Sequence, residues 1–146
     1  MRVESFFGKD IHPLIPRLAE LRIKVFYDFP YLYEGSLDYE KDYLKVYTES
    51  DRSVLVAAFD GDRLIGAATA LPLSDEADYV KAPFIKAGMN LEDIYYFGES
   101  ILLKEYRGLG LGHQFFDGRE KAALKFNFIK SAFCGVQRPE NHPMRP

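Results

Sequence analysis

The chain has 146 residues, 47% hydrophobic and 28% charged, which is the make-up of one soluble globular domain and too little chain for two cores. Its 12 Phe and 10 Tyr exclude a chain that is disordered throughout. A net charge of −3 gives no overall pull toward nucleic acid, and apolar runs such as Val54–Phe59 and Ile65–Leu71 fall far short of the ~20 residues a membrane helix needs.

The first periodic segment holds Leu14, Leu18, Leu21, Val25 and Phe26 at helical spacing, with Pro13 or Pro16 suited to a first turn. It predicts a helix over 15–27, ended by Asp28-Phe29-Pro30. A second helix is predicted over 37–48, with Leu37, Leu44 and Tyr47 on one side. Val54–Phe59 and Leu64–Leu71 are apolar runs joined by Asp60-Gly61-Asp62, a strong hairpin signal. Residues 75–87 suggest a helix broken at Pro83. Residues 93–103 are expected to form a strand with Glu99 in its middle. A glycine-rich loop follows, then a helix over about 110–126 ended by Asn127, and a last strand over 128–136. The tail 137–146, with Pro139, Pro143 and Pro146, reads as no element. The order of helices and strands implies a single α/β (α+β) domain with a mixed, mostly antiparallel sheet flanked by helices.

Cys134 is the single cysteine, so an intrachain disulfide is excluded. Three scattered histidines and one cysteine give no metal-ligand spacing, so no metal is expected. The N-terminal MRVESFFGKD lacks the apolar stretch of a signal peptide, and a reducing cytoplasm is the expected compartment. Phe115, Phe116, Ala122, Ala123 and Phe126 read as the core face of their helix.

Charge is distributed unevenly. Residues 28–51 carry seven acids against Lys41 and Lys45, together with Tyr31, Tyr33, Tyr39, Tyr43 and Tyr47. Residues 102–130 carry six bases against three acids. Solvated helix faces would account for both. A cation site on one side and an anion site on the other would account for them as well.

The most informative run is Arg107-Gly-Leu-Gly-Leu-Gly-His113, set between a strand and an amphipathic helix. Glycines at 108, 110 and 112 let backbone approach a ligand closely, and the helix start offers free N–H groups at the positive end of its dipole. That is a phosphate or pyrophosphate cradle. The spacing is not the dinucleotide fingerprint G-x-G-x-x-G, and no Gly-Lys-Ser/Thr follows as in a P-loop. Glu99 stands among Tyr95, Tyr96, Phe97, Gly98, Ser100 and Ile101. Desolvation there would bring its carboxyl toward the working pH and let it act as a general base. A strand acid hydrogen-bonded at a sheet edge, or facing solvent, is the plainer alternative.

Arg107-Gly-Leu-Gly-Leu-Gly112 resembles the R/Q-x-x-G-x-G/A motif of the GNAT superfamily of acetyl-CoA-dependent N-acetyltransferases, and the order of elements is similar to that family's over roughly residues 11–141. The resemblance implies a sheet splayed between the parallel strands 93–103 and 128–136, with acetyl-CoA as cosubstrate in the gap. It implies that the backbone of Leu102 and Leu103 pairs with the pantetheine arm. The amides of Arg107, Gly108, Leu109, Gly110, Leu111, Gly112 and His113 would hold the pyrophosphate, and Asn141 would lie near the pantetheine or thiol. Glu99, eight residues before Arg107, takes the place where several members put a general base. The family's usual final helix and strands, with a tyrosine acting as general acid, do not follow Val136. The expectation is therefore a domain truncated at its C-terminus or completed by a partner chain, with an open sheet edge that leaves room for a homodimer.

The acceptor side would fall on the acidic, tyrosine-rich segment 28–51, which suits a primary amine on a small molecule or peptide. The leading function is acetyl transfer to such an amine by direct attack, with no nucleic acid or membrane partner. A non-catalytic acyl-CoA-binding or scaffold domain is the alternative, and a dehydrogenase using the same loop is disfavoured by the glycine spacing.

Overall fold

Two long apolar runs, β2 (Val54–Asp60) and β3 (Arg63–Pro72), are buried along almost their whole length. A strand buried on both faces must be the centre of a sheet covered on both sides. The computed structural model, which describes residues 1–27 and 35–133, has that arrangement. The sheet order is β1-β2-β3-β4-β5, with β1 at Arg2–Phe7, β4 at Ile94–Leu102 and β5 at Lys130–Phe133. The first three pairings are antiparallel, and β4 pairs β5 in parallel from Ile94↔Lys130 to Phe97↔Phe133. This is a single α+β domain around a five-stranded mixed sheet.

Helices α1 (Ile15–Tyr27) and α2 (Leu37–Glu49) lie on one face, where the Tyr47 hydroxyl accepts a hydrogen bond from Thr69 of β3. Helix α4 (Leu111–Lys125) lies on the other, with Gly118 against Val56 and Phe115 against Gly66. A Cβ on Gly118 would stand 2.8 Å from Val56, so glycine sets how closely α4 approaches the sheet. Asn127 ends α4 in the left-handed region at φ 66°, and the Phe128 N–H closes back on the Ala123 carbonyl.

Four features depart from the sequence expectations. Strand β1 was not foreseen, because RVESFF alternates too weakly in burial to stand out. Helix α3 (Asp78–Lys86) is continuous through Pro83, which removes a single donor from a nine-residue helix whose last turn is still closed by Ala87 and Met89 N–H groups. Leu37 is 42% exposed at the first position of α2, and the buried stripe of that helix is Glu40, Leu44 and Tyr47. Phe116 is likewise 42% exposed, beside Phe97 and Phe133 at the margin of the sheet, while its neighbour Phe115 fills the core. The end of α1 at Asp28-Phe29-Pro30, the last strand beyond Phe133 and the tail lie outside the described residues, so the expected splay between β4 and the last strand does too.

Candidate active site

The first half of the site is backbone. Strand β4 ends at Leu102, a 3-10 turn covers Lys104–Tyr106, and α4 starts after Gly110. Gly108 and Gly110 have φ of 81° and 82°, values that glycine alone adopts without strain. Gly112 is different. It lies in the first turn of α4 with no positive φ, and a Cβ there would meet nothing within 4 Å. Among the described residues nothing demands glycine at 112, so the open surface above it suits a ligand that comes close to the backbone. The N–H groups of Leu111, Gly112 and His113 begin a helix and have no intrahelical acceptor. The cradle therefore fits a pyrophosphate on this chain's own geometry.

Not every predicted donor points outward. The Arg107 N–H donates to the Lys104 carbonyl at 3.2 Å, and its Nε donates to the Leu102 carbonyl at 3.3 Å. Leu103 is committed to the protein, since its N–H donates to Ile65 and its carbonyl accepts from Tyr106. Its N–H is therefore spent inside the protein, and the part of its backbone left for a ligand is the second lone pair of its carbonyl. Leu109 and His113 are exposed, and Asn141 lies outside the described residues.

The second half is side chains, gathered around Glu99. β4 carries a bulge there: Phe97 pairs Ala70 and Ser100 pairs Ala68, so Gly98 and Glu99 together oppose Thr69. A Cβ on Gly98 would stand 2.5 Å from the Tyr47 hydroxyl and 2.7 Å from the Thr69 hydroxyl, so glycine is required for the bulge to seat against α2. The Glu99 N–H donates to Thr69 Oγ1 at 3.0 Å, and its carbonyl accepts from Arg119 Nη1 of α4 at 3.4 Å. Its side chain, 22% exposed, forms an ion pair with Arg22 of α1 through Oε2. Its Oε1 accepts from the Tyr43 hydroxyl of α2 at 3.2 Å.

The apolar environment inferred from the neighbours of Glu99 in sequence is thus incomplete, because α1 and α2 bring a cation and a phenol to it. Arg22 also pairs with Glu40, which is 0% exposed, and its guanidinium stands 5.0 Å from the Phe26 ring and 4.5 Å from the Tyr43 ring. Burial pushes the Tyr43 phenol up to about 12, against the opposing pull of Arg22. Arg119 is buried between the rings of Phe97 and Phe116, 4.7 Å from each, and desolvation lowers it to about 10.

Sequence reading missed Arg22, Glu40 and Arg119. A signal was present: Ile15, Leu18, Ala19 and Arg22 form one helical stripe, and Glu40, Leu44 and Tyr47 form another, so each stripe carries one charge where an apolar residue belongs.

A groove of about 340 Å³ between α2 and the start of α3 is lined by Asp42, Tyr43, Lys45, Val46, Glu49, Glu76, Ala77 and Tyr79, with Lys45 paired to Asp42 at 3.1 Å. Burial raises the Glu76 carboxyl there. Tyr43 both lines the groove and bonds Glu99. Tyr31, Tyr33 and the acids at 28 and 34 lie outside the described residues. Among the described residues no group of His, Cys, Asp or Glu could hold a metal, and no helix is long and apolar enough to cross a membrane.

The strand, glycine loop and helix of this site have a counterpart in a known family. A model of the Acetyltransferase (GNAT) family matches residues 16–146, and the chain belongs to that family. Its fold is similar to a solved structure titled a probable acetyltransferase, with a TM-score of 0.65, 14% identity, and coverage of 97% of this chain and 83% of that one. It is also similar to the aminoglycoside 6'-N-acetyltransferase AAC(6')-IG from Acinetobacter haemolyticus (TM-score 0.64, 13% identity, 93% of this chain and 80% of that one). A third likeness is to AAC(6')-Iy in complex with a bisubstrate analogue, CoA-S-monomethyl-acetylneamine (TM-score 0.59, 15% identity, 97% and 83%). Comparison with curated protein sequences gives no significant match.

Proposed function

We propose that this chain transfers an acetyl group from acetyl-CoA to a small primary amine that carries further positive charge. One observation carries the reading: Glu99 sits on the bulge of the strand that leads into the glycine cradle, and Tyr43 joins it to an acidic, aromatic groove.

The cradle formed by Gly108, Gly110, Gly112 and the first turn of α4 would hold the pyrophosphate, with Leu102, Leu109 and His113 beside it. Acetyl-CoA, when bound there, supplies a thioester that is reactive toward an unprotonated amine. The chain's own task is to bind and deprotonate the acceptor. An ammonium group approaching Glu99 meets a carboxylate already oriented by Arg22 and Tyr43, on backbone held by the Glu99 N–H donating to Thr69 Oγ1. Glu99 takes its proton, directly or through a water, and leaves a nucleophilic amine. Glu49 and Glu76 in the groove, beside the Asp42–Lys45 pair, favour an acceptor with a second cation, and the rings of Tyr43 and Tyr79 add cation–π attraction. The aminoglycoside acetyltransferases among the structural neighbours support an acceptor of that kind.

Calorimetric titration with acetyl-CoA, with NADH as control, tests the cradle. Release of free thiol in the presence of monoamines, diamines and triamines tests the acceptor. The expected result is micromolar binding of acetyl-CoA alone and faster turnover with the diamines and triamines. Binding without turnover for any amine would turn the reading into a non-catalytic acyl-CoA-binding domain.

A further inference from the structure

The cluster behind Glu99 costs more than its packing explains. Arg22 and Glu40 have side chains 8% and 0% exposed, and the Glu40 Oε1 atom is buried with no hydrogen-bond partner among the described residues. A buried ion pair of this kind is commonly replaced by apolar residues with no loss of stability. An arrangement that also leaves a carboxylate oxygen without a partner among the described residues is therefore poorly accounted for by stability. It does accomplish something else. Glu40 fixes one side of the guanidinium, the rings of Phe26 and Tyr43 fix its plane, and the remaining edge meets Glu99. Two carboxylates share the Arg22 guanidinium, so Arg22 is not spent on Glu99 alone, and the Glu99 carboxylate can still attract an incoming ammonium.

We propose that Arg22, backed by Glu40, is a positioning residue that aims the Glu99 carboxylate at the acceptor amine and sets how readily it takes a proton. This rests on the reading of Glu99 as the base. The charged and titratable groups that face Glu99 are Arg22 from α1, Tyr43 and, behind Arg22, Glu40 from α2, and Arg119 from α4 at its carbonyl. Of these, Arg22 alone is a cation in contact with the carboxylate among the described residues.

Three variants test it: Glu40→Gln, Arg22→Lys, and the double variant R22M/E40Q, which removes both buried charges together so that neither is stranded. Melting temperature and acetyl-CoA titration identify folded variants. The readouts are the pH profile of kcat/KM and a carbon-13 NMR titration of the Glu99 carboxyl in the protein without ligand. R22M/E40Q is expected to move both the acidic limb and the carboxyl titration up by about one pH unit or more, because the contacting cation is gone. Glu40→Gln is expected to move both down, because a nearby negative charge is gone. Arg22→Lys, a cation without the planar fork, should recover part of the titration position but less of kcat. Loss of activity in both Glu40→Gln and R22M/E40Q with the Glu99 titration unmoved, or moved in the same direction, would assign Arg22 and Glu40 to packing alone and overturn the proposal. A wild-type acidic limb that survives Glu99→Gln would instead remove Glu99 as the base, while the NMR arm still decides whether Arg22 controls that carboxyl.

Discussion

The two faces of the sheet hold two kinds of candidate site. On the α4 side the cradle is made of backbone: positive φ at Gly108 and Gly110, an open surface at Gly112, and N–H groups at a helix start. On the α1 and α2 side the site is made of side chains, with Arg22, Glu40, Tyr43 and Glu99 bonded in one cluster. A backbone site is set by a few consecutive residues, and it suits a ligand part that stays the same from one family member to the next. A side-chain site needs residues brought together from three elements, and it can be re-cut for a new acceptor by changing any of them. Glu99 joins the two: its carboxylate meets Arg22 and Tyr43 from one side, and its carbonyl accepts from Arg119 of α4 on the other.

That comparison can be broken at its strongest point first. Glu99→Gln keeps the shape and removes the proposed base, so kcat/KM should fall about 100- to 10,000-fold while acetyl-CoA affinity, read by calorimetry, stays within about twofold. A parallel loss of donor affinity would show that the two sites are not separable.

Gly98→Ala comes next. The added methyl meets the Tyr47 and Thr69 hydroxyls, and stability measured by chemical denaturation should fall by about 1–3 kcal/mol. Tyr47→Phe in the same chain should restore part of it. Gly110→Val should cost about 1–2 kcal/mol from its left-handed φ and weaken acetyl-CoA binding at least tenfold, without altering amine preference.

Gly112→Ala sharpens the contrast, because its two effects have opposite sign. The helix should gain about 0.5–1 kcal/mol, as alanine replaces glycine in open space, while acetyl-CoA binding weakens. A variant that is stabilised and binds acetyl-CoA unchanged would show that no ligand approaches residue 112.

The smallest effect is an alkaline one. Burial raises the phenols of Tyr43, Tyr47 and Tyr95 in the folded protein. Their contribution to stability is intact below about pH 10, where the unfolded chain still holds those protons, and declines as pH rises toward the folded values. Absorbance titration should show a fraction of the tyrosine signal appearing late and together with unfolding, and Tyr43→Phe should reduce that fraction.

The same contrast explains what could be read from the sequence. The cradle was legible because its determinants are consecutive: Arg107 through His113 state their own conformation. Helices α1, α2 and α4 were legible from periodicity, and the hairpin from Asp60-Gly61-Asp62. The cluster was not, because Arg22, Glu40 and Glu99 are far apart in sequence and only the packing of α1 and α2 on β4 joins them. Strand β1 was missed for a related reason, since an edge strand takes its identity from its partner β2 rather than from its own pattern.

The bulge at Gly98 and Glu99 works as a phase shifter. It adds one residue to β4 against β3, and so sets which faces the side chains on either side of it take. The hairpin between β2 and β3 can gain residues at Gly61 at little cost. Loss of a single codon between Phe97 and Ser100 would remove more than one side chain: it would exchange inside and outside along one half of the strand. Length variation in homologous chains should therefore collect at the hairpin and avoid the short stretch from Phe97 to Ser100.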